Sequence, residues 1–191
     1  MKLPRTSRPV VGLLVAFLVA FLVVLGIPAA AAAAVPENVP ENVPVVTYDA
    51  GQAAEFRDAV DAGANVWNEN VQNLRLEPAT GGAADVVVLA DDGWPRAEVI
   101  GLGQGRVWMG RQAVNEGHDT IRIAAHELGH LLGLPDNRTG ECEDLMSGAS
   151  AGPDCDNAKP NPDEIAEVER NFAGGVRIAP QVFREDVLAA R

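Results

Sequence analysis

His126-Glu127-Leu128-Gly129-His130-Leu131-Leu132-Gly133-Leu134-Pro135-Asp136 is the stretch on which the fold and chemistry of this chain turn. His126 and His130 are four apart in a segment with helical spacing, so both rings leave one face, one turn apart. Two imidazole nitrogens so placed can bind one zinc ion at about 2.0–2.1 Å. Glu127 lies beside His126, where its carboxylate reaches a zinc-bound water whose pKa the metal lowers towards about 7. As general base, Glu127 would take that proton, leave hydroxide to attack a carbonyl, and pass the proton to the leaving amine. The bland alternative is a surface helix with two solvated histidines.

The third ligand is harder to read. The chain has three histidines, His118, His126 and His130, so none remains downstream. Gly133 can take the left-handed conformation that turns the chain sharply back after the helix. Asp136, three residues on, then approaches the metal and is the favoured third ligand. A loop aspartate or a cap for later amides is its plain alternative. Glu164, with Glu167 and Glu169 after it on a later helix, is a competitor in the manner of zinc proteases whose metal faces two helices; Asp144 is another. Downstream, Met146 in Leu145-Met146-Ser147-Gly148 reads as the apolar floor of a zinc site or as ordinary core packing.

The ends of the chain are distinctive. Lys2, Arg5 and Arg8 precede the apolar run Val10–Ile27, then Pro28 and the alanines Ala29–Ala34. That order predicts a signal peptide over 1–34; an uncleaved membrane anchor is the alternative. Residues 35–44, with Pro-Glu-Asn-Val twice, read as a Pro-rich linker or short pro-segment. The domain is expected over 45–191. Without residues 1–34 the chain keeps 12 basic against 27 acidic residues. That balance excludes charge-driven binding of nucleic acid, and membrane contact is expected only through the signal segment during export. A secreted, extracellular, monomeric protein is expected, and the motif over 126–136 makes proteins or peptides its expected substrates. Its two cysteines, Cys142 and Cys155, are expected to form a disulfide; shared zinc ligation lacks the usual spacing.

Period and punctuation give an α/β (α+β) single domain. Strands are expected at Val45–Tyr48, Leu74–Leu76, Ala84–Ala90, Ala97–Ile100 and Arg106–Met109, with Ala84–Ala90 buried on both faces. Helices are expected over Gln52–Val71, whose Phe56, Val60, Ala64, Trp67 and Val71 share a face, over Asp119–Leu132, and over Pro162–Phe172. Val176–Arg191 is expected to add a short amphipathic turn.

The motif from His126 to Asp136, followed by Leu145-Met146-Ser147-Gly148, resembles the metzincin zinc endopeptidases. With aspartate in the third position it is similar to their snapalysin-like family. The resemblance covers about 43–172 and is strongest over 119–155. It implies a twisted mixed sheet with an antiparallel edge strand, an active-site helix, a Met-turn at Met146 and a C-terminal helix. It implies zinc held by His126, His130 and Asp136, with Glu127 as general base. It also implies a cleft where an extended peptide pairs with an edge strand, Ala97–Ile100 being the candidate, and a preference for an aromatic residue after the cut bond. A calcium near the start of the active-site helix is implied too; Asp119 matches that position, while Ile121 offers only a carbonyl. Asp119 serves equally well as a helix cap. Departing from many metzincins, the chain has a single tyrosine, Tyr48, on the first strand, so the oxyanion stabiliser is left among Arg106, Arg111 and backbone amides. A non-catalytic secreted zinc domain is the rival from another class; Glu127 speaks against it.

Overall fold

The computed structural model describes residues 43–174 and 176–185; the expected signal peptide over 1–34 and most of the Pro-rich segment fall outside them. Strands are β1 (Val45–Gln52), β2 (Arg75–Pro78), β3 (Val86–Asp91), β4 (Arg96–Gly101), β5 (Gln104–Gly110) and β6 (Gln181–Arg184). Helices are α1 (Arg57–Asn70), α2 (Arg111–Asn115), α3 (Thr120–Leu131) and α4 (Pro162–Ala173). No helix among the described residues is long and apolar enough to cross a membrane.

The strands form one mixed sheet in the order β2-β1-β3-β5-β4-β6. β2, β1, β3 and β5 run parallel, joined through crossovers, and β4 is antiparallel to β5. α1 and α3 pack together, and their apolar faces join the sheet in a single core. Trp67 of α1 is fully buried and donates its indole N–H to the Ala125 carbonyl of α3 at 2.8 Å, which satisfies the one polar atom that burial would strand. Gly129 explains how close the floor beneath α3 lies: a Cβ there would sit 2.8 Å from Met146 Sδ and 3.1 Å from Trp67 Cζ2.

Several expectations shift. The first helix begins later, because β1 runs on to Gln52 and a tight 3₁₀ turn, Ala54–Phe56, intervenes. β3 alternates buried Val86 and Val88 with half-buried Val87 and Leu89, so it is fully buried on one face only. The short helix α2 is additional. The largest change concerns the edge. Ala97–Ile100 lies within β4 as expected, but β4 is not an edge strand. The tail supplies β6 instead of a turn, and β6 pairs antiparallel with β4 from Val99↔Gln181 to Arg96↔Arg184.

Candidate metal centre

α3 starts where Asp119 Oδ1 accepts from the Arg122 amide at 2.7 Å, an N-cap. It stops at Gly133, whose φ of +96° is the left-handed turn expected there. That turn brings the Leu134 carbonyl within 2.8 Å of His130 Nδ1, while the Leu145 carbonyl lies 3.0 Å from His126 Nδ1. Each Nδ1–H therefore donates to a backbone carbonyl. This fixes the tautomer and leaves both Nε2 lone pairs pointing at a common point.

Asp136 reaches that point. Its Oδ1 is 3.4 Å from His126 Nε2 and 3.5 Å from His130 Nε2, and the two Nε2 atoms are 3.1 Å apart. Donors 2.0–2.1 Å from a tetrahedral ion stand about 3.3–3.4 Å from one another, so the three match zinc in spacing as well as in kind. Asp136 Oδ2 pairs with Arg138 at 3.0 Å, which leaves Oδ1 as the inward oxygen. Both Glu127 oxygens are buried and, like Asp136 Oδ1, have no hydrogen-bond partner among the described residues. A buried carboxylate is costly unless something compensates it. Here the compensation expected is a metal and the water it holds.

The floor is Met146, fully buried under Gly129. Its loop is tied by the Cys142–Cys155 disulfide, with the two Cα atoms 5.5 Å apart. Glu164 completes it: its carboxylate accepts from the amides of Leu145 at 3.2 Å and Met146 at 2.7 Å, and it closes a capping box with Asn161. Glu164 thus holds the turn and is not among the metal-facing groups; nor are Glu167 and Glu169. Asp144 is likewise engaged elsewhere, by Thr139 and Asn161. Arg106 pairs with Glu98, and Arg111 with Glu55 and Asp92, all on the exposed surface, so neither guanidinium is free for an oxyanion. Tyr48 donates to Asp61.

Sequence reasoning missed two residues. Glu185, just after β6, joins His126, His130 and Asp136 in a group whose donor atoms lie within 4.8 Å of one another. Its Oε1 is 3.0 Å from His126 Nε2. Arg138 grips the Glu185 carboxylate with both terminal nitrogens, each at 2.8 Å, as well as Asp136. A lone glutamate behind Gln-Val-Phe-Arg carries no spacing signal, and an arginine two residues beyond Asp136 reads as solvated.

Burial and charge act together on this cluster. Burial works against a proton on His126, but the Glu185 charge, helped by Asp136 and Glu127, holds its pKa well above the usual histidine range. Burial and the His126 charge push His130 down to about 3. Burial raises the Glu127 carboxyl well above the ordinary carboxylate range. Burial also opposes ionisation of Glu185, yet His126 and Arg138 outweigh it and keep its pKa low.

Beside His126 and Glu127 opens a pocket walled by Trp94, Pro95, Ala113, His118 and Ile123.

Known proteins share this arrangement of sequence. The profile of the Streptomyces extracellular neutral proteinase (M7) family matches residues 43–175. An extracellular small neutral protease of Streptomyces caespitosus is 39% identical over 132 residues, 68% of this chain and 98% of that protein. Proteins of the same name from Streptomyces lividans and Streptomyces coelicolor are 37% and 36% identical over 135 and 139 residues. Those stretches are 70% and 73% of this chain, and 59% and 64% of the relatives. With a metalloendopeptidase donor set at the heart of the matched region, the chain belongs to the Streptomyces extracellular neutral proteinase (M7) family.

Proposed function

We propose that this protein is a secreted zinc-dependent endopeptidase in which His126, His130 and Asp136 hold the metal and Glu127 is the general base. The observation that carries the reading is the pair of unpartnered, buried Glu127 oxygens beside three donors at tetrahedral spacing. A bound zinc ion would supply Lewis acidity to the substrate carbonyl and lower the pKa of water towards about 7.

The chain's own groups do the rest. Glu127 accepts a proton from the attacking water and holds it in a carboxyl whose burial favours the protonated form. From there the proton passes to the leaving amine. The Leu134 and Leu145 carbonyls, each facing an Nδ1, hold both imidazoles with Nε2 aimed inward. Arg138 orients Asp136 through its outer oxygen. The pocket walled by Trp94, Pro95 and Ile123 supports an apolar, aromatic side chain next to the bond that is cut. Secretion agrees with a signal peptide over 1–34, with residues 35–44 as linker or pro-segment before the domain, and with relatives named as extracellular. Calcium is not carried into the proposal, because capping of α3 accounts for the Asp119 carboxylate.

A closed, non-catalytic zinc site is the one rival with an observation behind it, since Glu185 supplies a fourth donor. Zinc content and cleavage of quenched peptides, with phenylalanine or alanine after the bond, test the proposal on wild type, Glu127→Ala and Glu185→Ala. Zinc-loaded Glu127→Ala should be inert. Cleavage by that variant at the rate of its parent would refute the assigned base. A zinc-loaded Glu185→Ala protein without activity would favour the closed site.

A further inference from the structure

The tail does more than extend the sheet. β6 pairs with β4 along the outer edge nearest the metal centre, the edge an extended peptide would need. Phe183 lies flat on the His130 ring, with centroids 3.9 Å apart and planes 4° from parallel. Glu185 then turns inward and is only 4% exposed. Its carboxylate meets His126 Nε2 at 3.0 Å, both Arg138 nitrogens at 2.8 Å and the Ala149 amide at 2.8 Å. Its backbone amide donates to the Pro95 carbonyl at 3.3 Å. Six to ten residues beyond the family match, this segment fills both the strand position and the donor position of a substrate.

We infer that residues 181–185 are an intramolecular inhibitor: β6 covers the substrate edge of β4, Glu185 takes the fourth position on the metal, and Arg138 is its anchor. The inference rests on the zinc-endopeptidase reading above.

The chemistry explains why the tail blocks without being cut there. A side-chain carboxylate faces the three donors, whereas hydrolysis needs a peptide carbonyl at that point. A carboxylate oxygen 3.0 Å from His126 Nε2 stands close to the roughly 3.3 Å expected between two ligands of one zinc. Only seven positions, 174–180, separate α4 from β6 along the chain. A tail so held has an effective concentration on the order of millimolar, which a peptide substrate of equal intrinsic affinity must exceed to displace it. Because Gln181, Val182 and Arg184 are exposed, the plug is held by backbone pairing, one ring stack and one carboxylate, and not by a buried apolar face. Such a contact is releasable by cutting or binding the tail.

The test uses the full mature chain loaded with zinc, as wild type, Glu185→Ala and Glu185→Gln, with circular dichroism to confirm that each variant folds. Three quantities are read: kcat/KM on a quenched peptide, hydrogen exchange at the amides of residues 181–185, and loss of zinc to a competing chelator. The expected result is slow exchange at 181–185 in wild type that depends on zinc and is lost in both variants. kcat/KM should rise by about tenfold or more in both, and both should release zinc to the chelator more readily. Free-chain exchange at 181–185 in zinc-loaded wild type would overturn the inference, as would unchanged kcat/KM in both variants; either result leaves the protease reading standing. Zinc-dependent protection with no cleavage by any variant would instead break the protease reading, and the inhibitor role with it, leaving Glu185 in a closed structural site.

Discussion

Two of the segments that reach the metal centre, α3 and the tail, are held by different forces. α3 is buried from its third residue, Arg122, to its last, Leu131, gripped by Trp67 on one side and Met146 below. The tail strand β6 is four residues long and mostly exposed, and it depends on one neighbour, β4, and on the Glu185 carboxylate. One is a fixture of the core; the other is a surface contact that ends in a buried charge. A protease needs the first to be permanent and gains from the second being removable. Local opening free energies differ in the same sense, being high in cores and low at termini with few apolar contacts.

The largest expected effect lies on the fixed side. Glu127→Gln keeps shape and hydrogen-bonding atoms but removes the base. In a background freed of Glu185, kcat should fall by about 10²–10⁴-fold with zinc retained. Steady-state kinetics and metal analysis on the same sample check this. A variant within a few-fold of its parent would place the proton transfer elsewhere and undo the division of roles between helix and tail.

How much of this was legible follows the same line. His126, Glu127, His130, Gly133 and Asp136 fall within eleven residues, and helical period plus one left-handed glycine bring them together with little help from the rest of the fold. Local spacing therefore carried the three-donor cluster, and the cysteine pair carried the loop beneath it. Glu164 was misjudged because a glutamate three residues after Asn161 fits both a ligand and a capping box; the box, with the Leu145 and Met146 amides, claims it. Glu185 lies 59 residues from His126. Its arrival depends on β6 choosing the exposed edge of β4, a pairing that no periodicity in a four-residue strand announces. The expectation that Ala97–Ile100 is an edge failed for that reason: being an edge is a property of what else pairs, not of the strand.

The next effects concern how firmly the floor is fixed. Breaking the disulfide with Cys142→Ser and Cys155→Ser should lower stability by about 3 kcal/mol, the chain-entropy cost for a loop of this size. Glu164→Ala strands the amides of Leu145 and Met146 and should cost about 1–3 kcal/mol. Urea unfolding of the zinc-loaded proteins measures both. If either leaves the midpoint unchanged, the Met146 turn is held by something other than these ties, and the contrast with the tail weakens.

The smallest expected effect sharpens the contrast most. Phe183→Ala removes the ring lying on His130, a contact worth roughly 0.5–1.5 kcal/mol for aromatic pairs. Were β6 part of the cooperative core, that loss would appear in full in the unfolding midpoint. A segment that opens before the core unfolds behaves otherwise. Its contacts set only the free energy of local opening, and global unfolding begins from a state in which they are already gone. The variant should therefore keep the wild-type midpoint within about 0.5 kcal/mol, the range of an ordinary surface change. Amide exchange at residues 181–185 should quicken by about 2- to 12-fold, the same contact energy expressed as an equilibrium constant. A full shift in the midpoint with unchanged exchange at β6 would show the tail to be as fixed as α3, and a strand that cannot open cannot serve as a releasable plug.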